Sequence, residues 1–316
     1  MKKKPNQIIG VLIAWLLIYA FFAINKPQTF LSISNVELLL RQSTMIGIGA
    51  VGMTYVIVAG GIDLSAGSVI ALSSVVGGLV FNRTQSPWAA VFACALTGVL
   101  CGTLNGVLTS KLKAGPFIVT LGSMLAIRGI AKGLADEKTV STGGEGWLFE
   151  FISKTKSWFV FPIGTWMWIF FLGLMAWAMI YTNFGRNVVA VGSNESAAKL
   201  CGIAVDRVKT GAYAVAGFFF GLAGLMSLSR TSLGDPTSAN GDELRIIAAV
   251  VIGGASLSGG EGSVIGAAIG ALIMATISMG GTQMGVANWK QEIFTGIIIL
   301  AAVAIDRWRI ARRQTN

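Results

Sequence analysis

The sequence contains no histidine, and only 12% of its 316 residues are charged. Histidine is the commonest acid–base side chain and the commonest metal ligand, so its absence argues against most hydrolytic and metal chemistry. The three cysteines Cys94, Cys101 and Cys201 form no CxxC pair, and no disulfide or metal framework follows from them. The phosphate-loop pattern GxxxxGK[ST] is also missing, so this chain cannot hydrolyse ATP through such a loop. We expect no catalytic residue, no metal, no cofactor and no enzymatic activity.

Apolar residues make up 54% of the chain, whereas a soluble domain usually carries about 25% charged residues. A chain of this length could not hide so much apolar surface from water, so lipid must cover the excess. A helix needs about 20 apolar residues to cross a hydrocarbon core of about 30 Å. The sequence predicts an all-α, polytopic membrane bundle, a single transmembrane domain over residues 1–316, with about ten segments near residues 8–24, 43–60, 66–81, 88–109, 115–133, 158–181, 208–229, 243–256, 263–281 and 291–306.

Two of these segments are unusual. The run from Ile8 to Ile24 resembles a signal peptide, but Phe21 and Phe22 lie where small residues would mark a cleavage site. We expect it to be a retained first span. The eighth segment is too short to cross alone, so either it extends into its flanks or the chain breaks within the membrane.

The distribution of basic residues predicts the orientation. Lysine and arginine accumulate in cytoplasmic loops and tails, and ten spans place thirteen of them on one side: Lys2, Lys3, Lys4, Lys111, Lys113, Arg186, Lys199, Arg207, Lys209, Arg307, Arg309, Arg312 and Arg313. We therefore expect both termini and the loop 184–207 on the cytoplasmic side of the membrane, and the loop 134–157 outside. The chain has no aromatic-basic stripe of the kind that single-stranded nucleic acid needs, so we expect no nucleic-acid partner. Trp158, Trp166 and Trp168 suit an interfacial belt.

Glycines recur at four-residue spacing in three places. The ridges are Gly98, Gly102 and Gly106; Gly262, Gly266 and Gly270; and Gly217 with Gly221. This spacing puts small residues on one helix face, where two backbones can approach closely. We interpret the ridges as packing within the subunit, and a dimer contact is the alternative for any one of them.

An internal repeat accompanies the glycines. GGIDLS at 60–65 is followed by GSVI at 67–70, and GGASLS at 253–258 is followed by GSVI at 262–265. Glycine pairs that close an apolar helix predict a helix break and restart, and transporters often place broken helices of a repeat at the substrate path. The sequence leaves open whether the copies are parallel or inverted. The candidate pathway or break residues are Gly60, Gly61, Asp63, Ser65, Asn105, Gly253, Gly254 and Ser256.

Charged groups at membrane depth are costly and usually face a cavity or a partner. For Asp63 two interpretations stand. The carboxylate either caps the restarting helix, accepting from the backbone N–H groups near Ser65 and Ala66, or lines the solute path. We expect Arg128 and Arg245 to snorkel to an interface or to pair with an acid rather than to touch solute.

The hydrophilic stretch 183–209 predicts a helix of about two turns lying across the membrane face. Asn194 can cap it, Glu195 suits its positive end, and Gly202 is a natural stop. The residues between are good helix formers. By physics alone this is an ordinary capped loop helix.

The chain resembles the permease subunits of ABC importers of the ribose/galactose/xylose type. The stretches that carry the resemblance are GGIDLSAGS (60–68), NGVLTSKL (105–112), GPFIVTLGSMLAIRG (115–129), FGRNVVAVGSNESAAKLCGI (184–203) and IAAVVIGGASLSGGEGSVIGAAIGAL (247–272). The resemblance implies a cytoplasmic coupling helix that docks in a cleft of an ATPase subunit through Asn194, Glu195, Ala197, Ala198, Lys199, Gly202 and Ile203. We expect the small residues Ala197, Ala198 and Gly202 to permit close approach.

The same resemblance implies the partners. They are a second permease copy, identical or not, an ABC ATPase subunit, an extracytoplasmic solute-binding protein and membrane lipid. The expected location is the bacterial inner membrane, and the expected function is a translocation pathway for a sugar or sugar-like solute. The alternative is a stand-alone secondary transporter or channel, which would need buried coupling carboxylates and would leave the loop 184–203 without a role.

Overall fold

A computed structural model describes residues 5–112, 114–143 and 161–314, with side chains described for 8–112, 114–143 and 161–304. Over these residues the chain forms thirteen helices: α1 (Pro5–Asn25), α2 (Pro27–Phe30), α3 (Ile33–Val58), α4 (Ala66–Thr84), α5 (Pro87–Lys111), α6 (Pro116–Leu134), α7 (Ile163–Tyr181), α8 (Asn183–Ser193), α9 (Glu195–Leu200), α10 (Val205–Thr231), α11 (Asp242–Ile252), α12 (Val264–Gln283) and α13 (Asn288–Gln314). Two short strands, β1 (Val140–Ser141) and β2 (Leu233–Gly234), pair antiparallel. Some of the sequence-based expectations concern parts of the chain outside this description. These parts are Trp158, Lys2 to Lys4, Lys113, most of the loop 134–157 and the side chains of Arg307 to Arg313.

Local capping signals explain where several helices begin. Ser32 accepts from the N–H of the third residue on and starts α3, and Ser86, Thr182 and Ser263 do the same for α5, α8 and α12. Proline occupies the first helical position of α5 and α6, where its missing N–H costs nothing. These short polar residues between apolar runs therefore set the helix boundaries.

Seven helices of the described chain are long and apolar enough to cross a membrane: α1, α4, α5, α6, α7, α10 and α12. The polytopic helical architecture is confirmed, and the predicted count of ten is approximate. The other three predicted segments correspond to α3, α11 and α13. The helix α11 has 11 residues, a rise of about 16 Å, which cannot cross a core of about 30 Å. It ends at Ile252, directly before the second glycine pair.

The glycine ridges pack inside the subunit. The ridge of α5 lies against α10, and a Cβ added to Gly102 would stand 2.2 Å from the carbonyl oxygen of Tyr213. A Cβ on Gly98 would stand 2.1 Å from the carbonyl oxygen of Gly217. The ridge of α12 meets α11, where Gly270 lies against Ala249. Because these faces are already occupied, the interpretation as packing within the subunit is confirmed for them.

Both glycine breaks lie at one end of the bundle, together with α9, and we name it the α9 end. The backbone N–H of Gly260 donates to the carbonyl oxygen of Val58 at 2.9 Å, which joins the second break to the end of α3. In the first copy α3 runs toward this end and α4 runs away from it. In the second copy α11 and α12 do the same, so the two copies are parallel rather than inverted.

The direction of the first and last helices shows toward which end of the bundle the described chain begins and ends. The helix α1 runs parallel to α12, because Trp15 donates to Thr276 at 3.1 Å and Phe22 packs on Gly280. Since α12 begins beside the second break, α1 begins toward the α9 end. The helix α13 turns back after residues 284–287. Both described ends of the chain therefore lie toward the α9 end.

Candidate functional site

The first break is an extended segment held by three helices. Asp63 Oδ1 accepts hydrogen bonds from the N–H of Ser65 at 2.9 Å and from its hydroxyl at 2.6 Å. Asn105 of α5 donates from Nδ2 to Ser65 Oγ at 2.8 Å. Tyr213 of α10 and Thr120 of α6 both donate to the carbonyl oxygen of Ile62 at 3.2 Å. The irregular backbone is thus satisfied by protein, as backbone at membrane depth must be.

The candidate residues of the first break fall into two groups. Asp63, Ser65 and Asn105 are fully buried, with exposed fractions of 0%. Gly60 and Gly61 line the wall of a large cavity. Asp63 Oδ1 accepts from Ser65, one of the two donors predicted for a capping role, and in this conformation the carboxylate is closed off from solvent.

The second break is a glycine-rich loop, residues 253–263. Gly254 has φ +93°, a left-handed conformation that a side chain would strain, and Gly253 lies so close to the start of α12 that a Cβ would stand 2.4 Å from Ala267 N. The hydroxyls of Ser256 and Ser258 lie 2.9 Å apart, and Ser256 N–H donates to the carbonyl oxygen of Glu261. The three predicted residues here serve the geometry of the turn.

The predicted coupling segment forms the two-turn helix α9. Asn194 Oδ1 accepts from Ala197 N–H at 2.9 Å, which caps the helix as the sequence predicts. Gly202, with φ +82°, follows its end and donates to the carbonyl oxygen of Lys199 at 3.0 Å. Glu195 pairs with Lys209 of α10 at 2.6 Å.

The exposure pattern of α9 differs from expectation at one residue. Asn194, Glu195, Ala197, Lys199 and Gly202 are exposed, and Ile203 is half-buried. Ala198 is only 5% exposed and belongs to the hydrophobic core, so the expectation that it permits close approach of a partner is wrong for this position.

Leu200, which the sequence reasoning passed over, projects from α9 with 90% of its surface exposed. Burial of this side chain by a partner would remove its apolar surface from water, which is favourable, so Leu200 is a candidate docking contact. The signal available in sequence was a lone leucine two residues before the stop glycine Gly202.

A cavity of about 1040 Å³ opens at the α9 end, between the first break and the ends of α5, α6, α9 and α10. Its lining includes the hydroxyl residues Thr109, Ser110 and Tyr213, and four basic residues, Lys111, Lys199, Arg207 and Lys209. It also includes Glu195 and Asp206. The charged residues of the lining are therefore mostly basic, and the cavity lies directly beside the candidate coupling helix.

The predicted intramembrane arginines are held by protein. Arg245 pairs with Asp242 at 3.1 Å, so the expectation of an acidic partner is confirmed. Arg128 of α6 donates from Nη1 to the carbonyl oxygens of Pro236 at 2.9 Å and Ser238 at 2.7 Å. It holds the segment between β2 and α11. At the start of α11, Glu243 lies against Gly67 of α4.

The comparisons identify the family. The profile described as "Branched-chain amino acid transport system / permease component" matches residues 35–303. The ribose import permease protein RbsC of Escherichia coli (strain K12) is 38% identical over 301 residues, which cover 93% of this chain and 92% of that protein. RbsC of Bacillus subtilis (strain 168) is also 38% identical, over 96% of this chain and 94% of its own length. The L-arabinose transport system permease protein AraH of E. coli (strain K12) is 35% identical, over 97% and 92%.

No solved structure matches the chain. With a family profile over most of its length and relatives above 30% identity over more than nine-tenths of it, the chain belongs to this family of transport permease components. The similarity favours an ABC importer permease over a stand-alone secondary transporter or channel.

Proposed function

We propose that this protein is the permease subunit of an ABC importer for a monosaccharide or a close derivative. The relatives that match along nearly the whole chain are ribose and arabinose permeases. The structural observation that carries the proposal is the capped, exposed helix α9, which lies beside two glycine breaks and a large cavity lined in part by hydroxyl and basic residues. This combination fits a channel whose motion is driven from outside the chain.

The ATPase subunit docks on α9. Asn194, Glu195, Ala197, Lys199 and Gly202 form its exposed face. Leu200 supplies the apolar anchor, since a fully exposed leucine gains about 1.5–3 kcal/mol when a partner buries it. The N-cap keeps the short helix rigid, and only a rigid helix transmits force between subunits.

The cavity at the α9 end is the inner mouth of the solute path. Its volume of about 1040 Å³ exceeds that of a monosaccharide severalfold. Backbone of Gly60 and Gly61 and hydroxyls of Thr109, Ser110 and Tyr213 offer the hydrogen-bonding groups that sugar hydroxyls need. The buried hydrogen bonds of Asp63, Ser65 and Asn105 hold the first break, to which Gly60 and Gly61 belong, in place. The neighbouring second break is shaped by Gly253, Gly254 and Ser256.

The rest of the proposal follows from charge and family. The basic residues at the α9 end suit the cytoplasmic surface of a bacterial inner membrane. We propose that both termini lie on the same, cytoplasmic side. Residues 1–316 make a single transmembrane domain. It pairs with a second permease copy, the ATPase and an extracytoplasmic binding protein, and it catalyses no bond chemistry itself.

The test is to express the chain with its partner subunits in a strain that lacks ribose and arabinose uptake. The purified permease is expected to carry an ATPase with it, and uptake of labelled ribose or arabinose in vesicles is expected to need ATP. Leu200→Asp is expected to abolish co-purification of the ATPase. Leu31→Asp is the matched control, because Leu31 is 63% exposed but lies at the opposite end. ATP-independent uptake by the chain alone would overturn the proposal.

A further inference from the structure

Three backbone segments meet at the α9 end without intervening side chains. They are the end of α3 with the first break, the last turn of α8, and the second break. The N–H of Gly260 donates to the carbonyl oxygen of Val58 at 2.9 Å, and Gly192 of α8 lies against both. These contacts join residues that are far apart in sequence.

The contacts of Gly192 leave no room for any side chain. A Cβ at this position would stand 1.8 Å from the carbonyl oxygen of Val58 and 2.7 Å from Gly260 N. On the other side, a Cβ on Gly259 would stand 2.7 Å from Gly192 O and 2.9 Å from Gly60 Cα. Gly192 lies within helix α8, so the glycine is needed for close approach rather than for its backbone conformation.

The position of Gly192 in the chain gives the contact a mechanical meaning. Two residues later Asn194 caps the start of α9, and the intervening Ser193 is the last residue of α8. A displacement of α9 therefore reaches Gly192 through a single turn of helix. From there it passes by direct backbone contact into both breaks.

Other contacts also join α9 to the bundle, since Ala198 packs in the core and residues 201–204 lead directly into α10. Gly192 differs from them because its contacts reach both breaks. The ion pair between Glu195 and Lys209 joins α9 to α10, but Glu195 is half-exposed. Exposed ion pairs between flexible side chains are compliant and contribute little. Backbone packed on backbone is stiff, because close-packed interiors transmit strain.

We propose that Gly192 is a positioning residue that transmits movement of α9 to both glycine breaks at once. This rests on the proposed function, in which an ATPase moves α9. The close approach makes the two breaks respond together, so that the segments of both breaks at the α9 end move apart or together in one step.

The first experiment compares Gly192→Ala with Gly185→Ala in the assembled complex in nanodiscs. Gly185 lies in the same helix and is equally crowded, with Ala178 O 2.4 Å from an added Cβ, but its contacts are at the α7–α8 corner. The readouts are ATPase co-purification, basal ATP hydrolysis, stimulation of hydrolysis by the sugar-loaded binding protein, and sugar uptake.

Gly192→Ala is expected to keep co-purification and to hold basal hydrolysis within twofold. It is also expected to lose the stimulation and to reduce uptake at least tenfold. Gly185→Ala is expected to keep the ratio of ATP hydrolysed to sugar imported even where its yield falls. Normal stimulation and uptake in Gly192→Ala would overturn the proposal, and so would the same uncoupling in Gly185→Ala.

The second experiment needs no change at Gly192 and so survives misfolding of that variant. Spin labels are placed singly, one on the native Cys201 directly after α9 and one on Ser258→Cys, with Cys101 replaced by serine in both and Cys201 replaced by serine in the second. Both label sites are exposed. Addition of ATP to the complex is expected to change both spectra. A label at Leu31→Cys, at the opposite end of the bundle, serves as the control.

The two labels separate the possible failures. A response at Cys201 without one at Ser258→Cys would overturn the transmission through Gly192 and leave the docking of α9 intact. No response at Cys201 would instead count against the proposed function.

Discussion

Asn105 of α5 donates a hydrogen bond from Nδ2 to Ser65 Oγ at 2.8 Å, at a point where both side chains are fully buried. The hydroxyl of Ser65 in turn donates a hydrogen bond to Asp63 Oδ1. The amide therefore fixes the start of α4 against α5. An extended segment inside a helical bundle would otherwise have little to hold it.

Replacing Asn105 with alanine is expected to destabilise the protein by about 1–3 kcal/mol, because it leaves buried polar groups without a partner. This exceeds the cost of about 0.6 kcal/mol that is typical of a single hydrogen bond between membrane helices. The measurement is the apparent Tm of the purified protein in detergent. Asn25→Ala is the control, since Asn25 is exposed and donates only to a carbonyl of its own helix. Equal Tm values for the two variants would contradict the role of Asn105.

The sequence predicts much of this structure where the determinants are local. The cap at Asn194 depends on a donor three residues away, and the helix breaks follow from glycine pairs. These features require only the conformation of a short segment.

The convergence of Val58, Gly192 and Gly260 could not be predicted in the same way. Their contact depends on how α3, α8 and the second break are stacked, and no period in the sequence encodes it. The inward orientation of Ala198 has a similar explanation. A helix of six residues is too short for its apolar pattern to say which face meets the bundle.

Gly102→Ala is expected to lower the apparent Tm, because overpacking a tight contact costs about 1–3 kcal/mol. The added methyl group would meet the backbone of α10, which cannot rotate away as a side chain could. The measurement is a thermal melt followed by size-exclusion chromatography.

Gly129→Ala is the matched control for Gly102, because an added Cβ there has nothing within 4 Å. Alanine favours a helix over glycine by about 1 kcal/mol, so this variant is expected to be as stable as the parent or slightly more so. A similar loss of Tm in both variants would show that helix packing is not the cause.

Arg128→Met is expected to release the segment between β2 and α11, because two hydrogen bonds to a charged donor are lost, each contributing about 1.5–3 kcal/mol. Hydrogen–deuterium exchange of residues 235–241 should rise, and sugar uptake should fall. Arg186→Met is the control, since Arg186 donates to the carbonyl oxygen of Tyr181 from an exposed site. Unchanged exchange in Arg128→Met would contradict this role.

The cap of α9 gives a graded prediction. Asn194→Ala is expected to cost about 0.5–2 kcal/mol of helix stability, which is enough to fray a helix of only six residues. Asn194→Asp is expected to restore the cap, because aspartate is an equally good N-cap and its charge suits the helix N-terminus. Sugar uptake and ATPase co-purification should therefore fall in the alanine variant and return in the aspartate variant. If the aspartate variant were as impaired as the alanine variant, the amide itself would have to contact the partner, and rigidity of α9 would not explain the loss.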